Sequence, residues 1–195
     1  MNVFVVYCHP SKTSFTYLVK EAFLQGLIAS GHNYIISDLY EMDFNDTITE
    51  DEYLRETFYR SDLPVADDVM LEQDKIQNSD AIVFIYPVFW TEAPAKLVGW
   101  FDRVWSTGFA YAPEPIMKVL DKVLCIAAAG KLKIDLEETK EAEAMKTVML
   151  GDRIRNRAKQ KDFIILDGIT HWDEETRNLK QKEHLTTAYE LGLTF

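Results

Sequence analysis

A chain of 195 residues, 47% hydrophobic and 27% charged, is long and apolar enough for a real core, which excludes a disordered or fibrous polypeptide. Its formal net charge of -11 repels phosphate backbones and anionic lipid, so nucleic acid is not an expected partner. No apolar run approaches the ~20 residues that span a bilayer, and the stretch from Met1 to Tyr7 has neither the basic region nor the cleavage site of a leader. The expectation is a single cytoplasmic domain over residues 1–195, without membrane insertion. Cys8 and Cys125 both sit in strand-like runs and lack the spacing of a metal site or redox pair, so they read as buried, reduced thiols.

Along the chain, short apolar runs alternate with amphipathic stretches. Val3 to Cys8 is a β-branched and aromatic run suited to a central parallel strand. After the polar loop His9 to Ser14, the residues Phe15, Leu18, Val19, Ala22, Phe23 and Leu27 recur at helical spacing, and Gly31 ends that helix. Tyr34 to Ser37 is a second strand. Residues 38 to 74 carry thirteen acids against two bases and no strong strand; they read as a connecting excursion with helical pieces. Ala81 to Tyr86 is the clearest strand, ended by Pro87, and a helix follows over about Ala95 to Trp105. Val123 to Ala127 is the fourth strand. Leu136 to Lys159, rich in Glu, Lys, Ala and Met, reads as helix. Phe163 to Leu166 is the fifth strand and Glu174 to Leu191 the last helix. Five buried strands separated by helices predict a flavodoxin-like, three-layer α/β/α fold, with a five-stranded parallel sheet in the order 2-1-3-4-5.

Ligands of such sheets bind beyond the carboxyl ends of the strands, which selects the loops His9 to Thr16, Pro87 to Pro94 and Ala127 to Lys131. In the first loop, Thr13 and Ser14 are suitable helix caps. Free backbone N–H groups and the helix dipole favour a phosphate there, with Lys12 adding charge; simple capping explains the same residues equally well. The second loop carries Phe89 and Trp90 just past a strand end, where a planar heteroaromatic ligand would pack; the plainer alternative makes them core or interface residues. Trp100, Phe101 and Trp105 crowd the next helix, which suggests a buried homodimer interface from which Tyr111 covers the partner's cleft. His9, His32, His171 and His184 share no ligand spacing, so no metal site is expected. No dinucleotide or ATPase glycine loop and no nucleophile elbow is present.

At these residues the chain resembles the NAD(P)H:quinone reductases of the DT-diaphorase type. The resemblance runs through His9-Pro10-Ser11-Lys12-Thr13-Ser14-Phe15-Thr16 and Ser37 to Phe44, then returns at Pro87-Val88-Phe89-Trp90, Gly99 to Val104 and Phe109-Ala110-Tyr111. It covers roughly residues 1 to 45 and 80 to 130 well. It implies a homodimer with FAD or FMN at the subunit boundary. His9, Thr13, Ser14, Phe15 and Thr16 would hold the pyrophosphate end, and Pro87, Val88, Phe89 and Trp90 would line the isoalloxazine. Trp90 and Tyr111 would bound the substrate pocket, and Arg177 would reach the far end of the cofactor. The implied reaction is ping-pong: NADH or NADPH gives hydride to the flavin, leaves, and a quinone-like acceptor takes it.

The chain departs from the family in three places. The Thr-Thr-Gly-Gly expected after strand four is Ala127-Ala128-Ala129-Gly130, where the Cβ of Ala129 is expected to crowd the ring. The family's downstream Tyr and His lack counterparts in Lys131 to Thr147, and Pro113 stands in place of a second lid tyrosine. These departures motivate an alternative, a non-catalytic regulatory or ancillary subunit that keeps the dimeric fold. A flavodoxin carrying single electrons is a third reading, opposed by the aromatic helix.

Overall fold

A computed structural model describes residues 1–112 and 114–195, which leaves Pro113 outside the described residues. Strands β1 (Asn2–Tyr7), β2 (Asn33–Asp38), β3 (Ala81–Pro87), β4 (Leu120–Ala128) and β5 (Ala158–Leu166) form one parallel sheet in the order β2-β1-β3-β4-β5. The three inner strands are buried on both faces, as their unbroken apolar runs require. Helices α1 (Phe15–Ala29) and α7 (Glu174–Leu193) cover one face, over Val3, Val5, Val83, Ile85, Leu124 and Ile126. The other face, carrying Phe4, Val6, Ile82, Phe84 and Cys125, packs under the remaining helices. The flavodoxin-like architecture is as the alternation of elements predicts.

Helix α1 ends where Gly31 takes a φ of +77° and the His32 N–H returns to the Leu27 carbonyl at 3.0 Å. The acidic excursion forms α2 (Glu50–Thr57) and α3 (Asp67–Gln77). Thr49 caps α2 in a reciprocal box with Glu52. Helix α4 (Ala95–Val104) lies between this excursion and the sheet.

That placement corrects the reading of the aromatic helix as a dimer face. Trp100, Phe101 and Trp105 are all buried within the single chain. Their rings pack edge-on or tilted, with centroids 5.2 Å apart for Trp100 and Phe101, and Phe84 lies 4.9 Å from Phe101. The Trp100 indole N–H donates to the buried Glu72 carboxylate of α3 at 2.8 Å. The excursion supplies the second wall that the helix pattern alone does not reveal.

The stretch expected as helix from Leu136 to Lys159 is also different. It breaks into α5 (Lys133–Glu138), α6 (Glu141–Lys146) and a π-helix (Thr147–Ile154), with Lys140 at φ +60° and Arg155 at φ +49° marking the joints. Strand β5 begins at Ala158, because β4 reaches back to Leu120 and pairs with it. Lys159 to Asp162 lie exposed at the sheet edge, which is why their polarity hides the strand. Cys8 and Cys125 are free and buried. No helix among the described residues is long and apolar enough to cross a membrane.

Candidate functional site

The sheet order turns outward in both directions from β1 and β3, so a crevice opens beyond their carboxyl ends. There the structure forms a cleft of about 600 Å³, within the range of cofactor sites.

One wall is the loop after β1. The His9 Nδ1 accepts the Ser11 N–H at 2.9 Å, and burial pushes the His9 pKa below its ordinary value. The neutral ring therefore carries its proton on Nε2, a donor. Ser14 caps α1, accepting the Tyr17 N–H at 3.1 Å. The N–H groups of Phe15 and Thr16 belong to the first turn, which has no earlier carbonyl to take them.

The opposite wall is the loop after β3. The Val88 N–H donates to the Ala128 carbonyl at 2.8 Å, and Phe89 and Glu92 exchange backbone hydrogen bonds across a tight turn. Trp90 stands at the tip of that turn with φ +61° and a 97% exposed surface. Glu92 accepts from Arg153 at 2.9 Å, which ties the turn to the π-helix.

The back of the cleft comes from β4 and β5. Gly130 lies against Thr170, and a Cβ at Gly130 would overlap the Thr170 hydroxyl. Arg177 of α7 donates to the His171 carbonyl at 2.9 Å and lines the far end. Behind it, Asp167 accepts the Lys133 N–H at 2.9 Å and the Lys180 ammonium at 3.1 Å, which outweigh burial and hold its pKa below the ordinary value. This buried anchor fixes the loop carrying Ile169 and Thr170.

Of the residues expected at the site, His9, Ser14, Phe15, Thr16, Pro87, Val88, Phe89, Gly130 and Arg177 all line the cleft. Thr13 does not: its hydroxyl folds back to Ser11 at 3.0 Å. Lys12 pairs with Glu41 at 2.9 Å rather than adding charge to the cleft. Trp90 projects into solvent instead of forming the lining. Tyr111 lies elsewhere, donating to Glu56 of its own chain at 2.6 Å; burial, then Glu56, pushes its pKa up to about 12. Ala129 packs into the core and does not face the cleft, so its Cβ crowds nothing there.

Ala128, from the third selected loop, also lines the cleft, and Ile169, Thr170 and Gln181 line it without having been anticipated. Two signals point to them: the loop after β5 ends at the same sheet edge, and Gln181 lies one helical turn after Arg177 on the same face. A larger hollow of about 910 Å³ lies by α2. It is lined by none of the loops that follow β1, β3, β4 or β5, and its Arg103 is already held by Glu52 and Asp68.

The cleft lining contains no Asp or Glu among the described residues, in a chain with 32 acidic residues. It offers His9, Arg177, Ser14 and a helix terminus together with the apolar Pro87, Val88 and Phe89. Such a surface suits a ligand with an anionic tail and a flat apolar ring.

Residues 1–153 match the model of a family described by its flavodoxin-like fold. The chain is 33% identical over 120 residues to NAD(P)H dehydrogenase (quinone) 1 of Rattus norvegicus, covering 55% of this chain and 44% of that one. It is 31% identical over 125 residues to ribosyldihydronicotinamide dehydrogenase (quinone) of Mus musculus, covering 56% and 53%. The chain thus spans about half the length of the curated relatives it matches. Among solved structures, it is 40% identical to an NAD(P)H:quinone oxidoreductase from Methanothermobacter marburgensis, with a TM-score of 0.89 over 98% of this chain and 96% of that one. An FMN-dependent NADH-azoreductase of Bacillus anthracis, in complex with FMN, shares the fold at 17% identity and a TM-score of 0.66, covering 98% of this chain and 100% of that one. The chain belongs to the flavodoxin-like NAD(P)H:quinone oxidoreductase family.

Proposed function

We propose that the protein is a flavin-dependent NAD(P)H oxidoreductase acting on a quinone-like acceptor. The observation that carries this reading is the cleft at the β1/β3 switch point, free of carboxylates among the described residues and lined by both donor groups and apolar side chains. The residues present fit a flavin. Ser14, the Phe15 and Thr16 N–H groups, the His9 Nε2 proton and Arg177 would hold its phosphate-bearing chain. Pro87, Val88 and Phe89 would pack against the ring, and Gly130 leaves room where a Cβ would overlap Thr170.

When bound, the flavin supplies the two-electron chemistry, taking hydride from NADH or NADPH and giving it to the acceptor in separate half-reactions, a ping-pong sequence. The chain's own contribution is position and field. The dipole of α1 places partial positive charge by the phosphate. The Asp167 anchor keeps the back wall rigid, and the Phe89–Glu92 turn, braced by Arg153, holds Trp90 at the mouth. Trp90 and Tyr111 bound the acceptor site only if Tyr111 comes from a second subunit, so homodimerisation is part of this proposal. So are a single domain over 1–195, whose two core clusters share one sheet, and a cytoplasmic location.

The test is to incubate the purified protein with FAD or with FMN, desalt it and record the visible spectrum, then add NADH or NADPH with a quinone. Retained flavin absorption and quinone-dependent oxidation are expected, and the better-retained flavin identifies the cofactor. A colourless protein after both incubations refutes the reading.

A further inference from the structure

On the far side of the Phe89–Glu92 turn, the π-helix runs into β5 and places Arg153, Arg155 and Arg157 around one hollow of about 480 Å³. Three arginines within five residues are a concentration of charge in a chain of net -11. They are not equivalent. Arg153 is spent on Glu92. Arg157 is half-buried and bonded only to carbonyls, from its Nε to Ala110 at 2.9 Å and from its Nη1 to Arg153 at 3.1 Å. Arg155 is exposed, and among the described residues neither Arg155 nor Arg157 has a carboxylate within ion-pair distance.

A guanidinium does not discharge by losing its proton. Burial and the neighbouring Arg155 charge push the Arg157 pKa below its ordinary value, against the smaller opposing pull of Asp152. Asp102 and Asp152 also face the hollow, but they are exposed and stand beyond ion-pair distance of both arginines, leaving the Arg155 fork and the Nη2 of Arg157 without a carboxylate. The local backbone is built for this arrangement. A π-helix of eight residues ends at Arg155, whose φ of +49° is unusual for a side-chain-bearing residue. The Trp105 indole N–H clamps the Arg153 carbonyl at 2.6 Å, fixing the turn between the arginines.

We propose that Arg155 and Arg157 form a binding site for a phosphate monoester, separate from the β1/β3 cleft of their own chain and, since Tyr111 lines the same hollow, beside the partner's cleft in the proposed homodimer. Arginine forks match phosphate oxygens two at a time, and the polar hollow admits the ester's substituent. The phosphate has two possible sources, the ribose 2′-phosphate of NADPH or another phosphorylated small molecule.

Binding of inorganic phosphate and of adenosine 2′-monophosphate is measured by calorimetry on the flavin-free protein, so the outcome does not depend on the flavin reading. Saturable binding is expected, weakened at least about tenfold in Arg155→Gln, as loss of a charge-assisted hydrogen bond requires. Arg157→Gln is expected to act in the same direction, and a thermal melt shows whether it still folds; Arg155→Gln tests the site on its own, since its side chain is exposed. Absence of saturable binding to the wild type, or equal affinity in Arg155→Gln, overturns the proposal. Tighter binding of adenosine 2′-monophosphate than of phosphate, with a KM rise for NADPH and not for NADH in Arg155→Gln, assigns the site to the donor. Binding of phosphate with both KM values unchanged assigns it to a different phosphorylated ligand.

Discussion

Ser14→Ala separates two roles that one hydroxyl plays. Ser14 caps α1, but the Tyr17 N–H is shared, reaching the Ser14 Oγ at 3.1 Å and the Ser14 carbonyl at 3.1 Å. Losing the hydroxyl therefore leaves Tyr17 partly satisfied, and the cost falls at the low end of cap substitutions, about 0.5–1 kcal/mol. For a chain of this length that lowers Tm by about 1–4 °C. The hydroxyl that accepts from Tyr17 also lies beside the Tyr7 phenol, so a ligand in the cleft competes with Tyr7 for its proton. If it donates to a flavin phosphate, the substitution removes one hydrogen bond to a charged oxygen, about 1.5–3 kcal/mol, or roughly a 10- to 150-fold rise in the flavin Kd. Thermal melts of the flavin-free protein give the first number and flavin fluorescence titration gives the second. A lowered Tm with an unchanged Kd makes Ser14 a cap and nothing more, and the phosphate end of the proposed site would then be wrong.

Other perturbations probe the remaining supports. Gly192→Ala places a Cβ on the Phe23 carbonyl, where α7 crosses α1; the helices must part, costing about 1–3 kcal/mol, and an unchanged melting curve would refute that close approach. Trp90→Ala removes an exposed side chain, so Tm stays within about 1 °C while flavin retention on gel filtration falls; full retention sinks its assignment to the ring. Burial lowers the His9 pKa, so the unfolded chain takes up that proton first. Its stabilising contribution is present above the ordinary histidine value of about 6.5 and is lost as pH falls through the lower folded value. His9→Gln should flatten the stability profile in that window, and identical slopes for the two proteins would count against a buried neutral His9.

The sheet was legible because β1, β3 and β4 are continuous apolar runs, and three of the four loops that line the cleft followed from the rule about carboxyl ends. The elements that misled share one cause, which is tertiary context. Lys159 to Asp162 look helical or loop-like because an edge strand needs polar side chains, and only the reach of β4 back to Leu120 makes them a strand. Trp100, Phe101 and Trp105 exceed what one face of α4 can bury against a sheet, yet the acidic excursion folds over them. No local pattern in residues 38 to 74 announces that. Thr13 and Lys12 have the right chemistry for a phosphate loop, but short polar side chains bond their neighbours, as Thr13 does with Ser11. Ile169 and Thr170 escaped because the strand-end rule was not carried to β5.

The case for a non-catalytic subunit rested on Ala127-Ala128-Ala129-Gly130, where hydroxyls and a glycine were expected. In a strand, successive side chains point to opposite faces. Ala127 and Ala129 both pack into the core beneath α4 and the π-helix, and Ala128 points the other way, into the cleft. The hydroxyl expected at 127 would therefore need a buried partner and would not meet a ligand, whereas the one expected at 128 would face the cleft. The Ala128 carbonyl holds Val88, and the Ala129 N–H holds Leu166 at 2.8 Å, so this backbone is committed to shaping the cleft whatever side chains it carries. Gly130, the one member whose missing Cβ matters to the lining, is retained. The changes at 127 and 129 thus fall where they alter packing, and the one at 128 takes a hydroxyl from the ligand surface while leaving its backbone in place. Gly130→Ala is the substitution that should mimic a true loss of function, by driving Thr170 into the cleft and weakening flavin retention, whereas Ala129→Gly should leave retention unchanged. The reverse pattern in the same desalting assay would return the non-catalytic reading to the front.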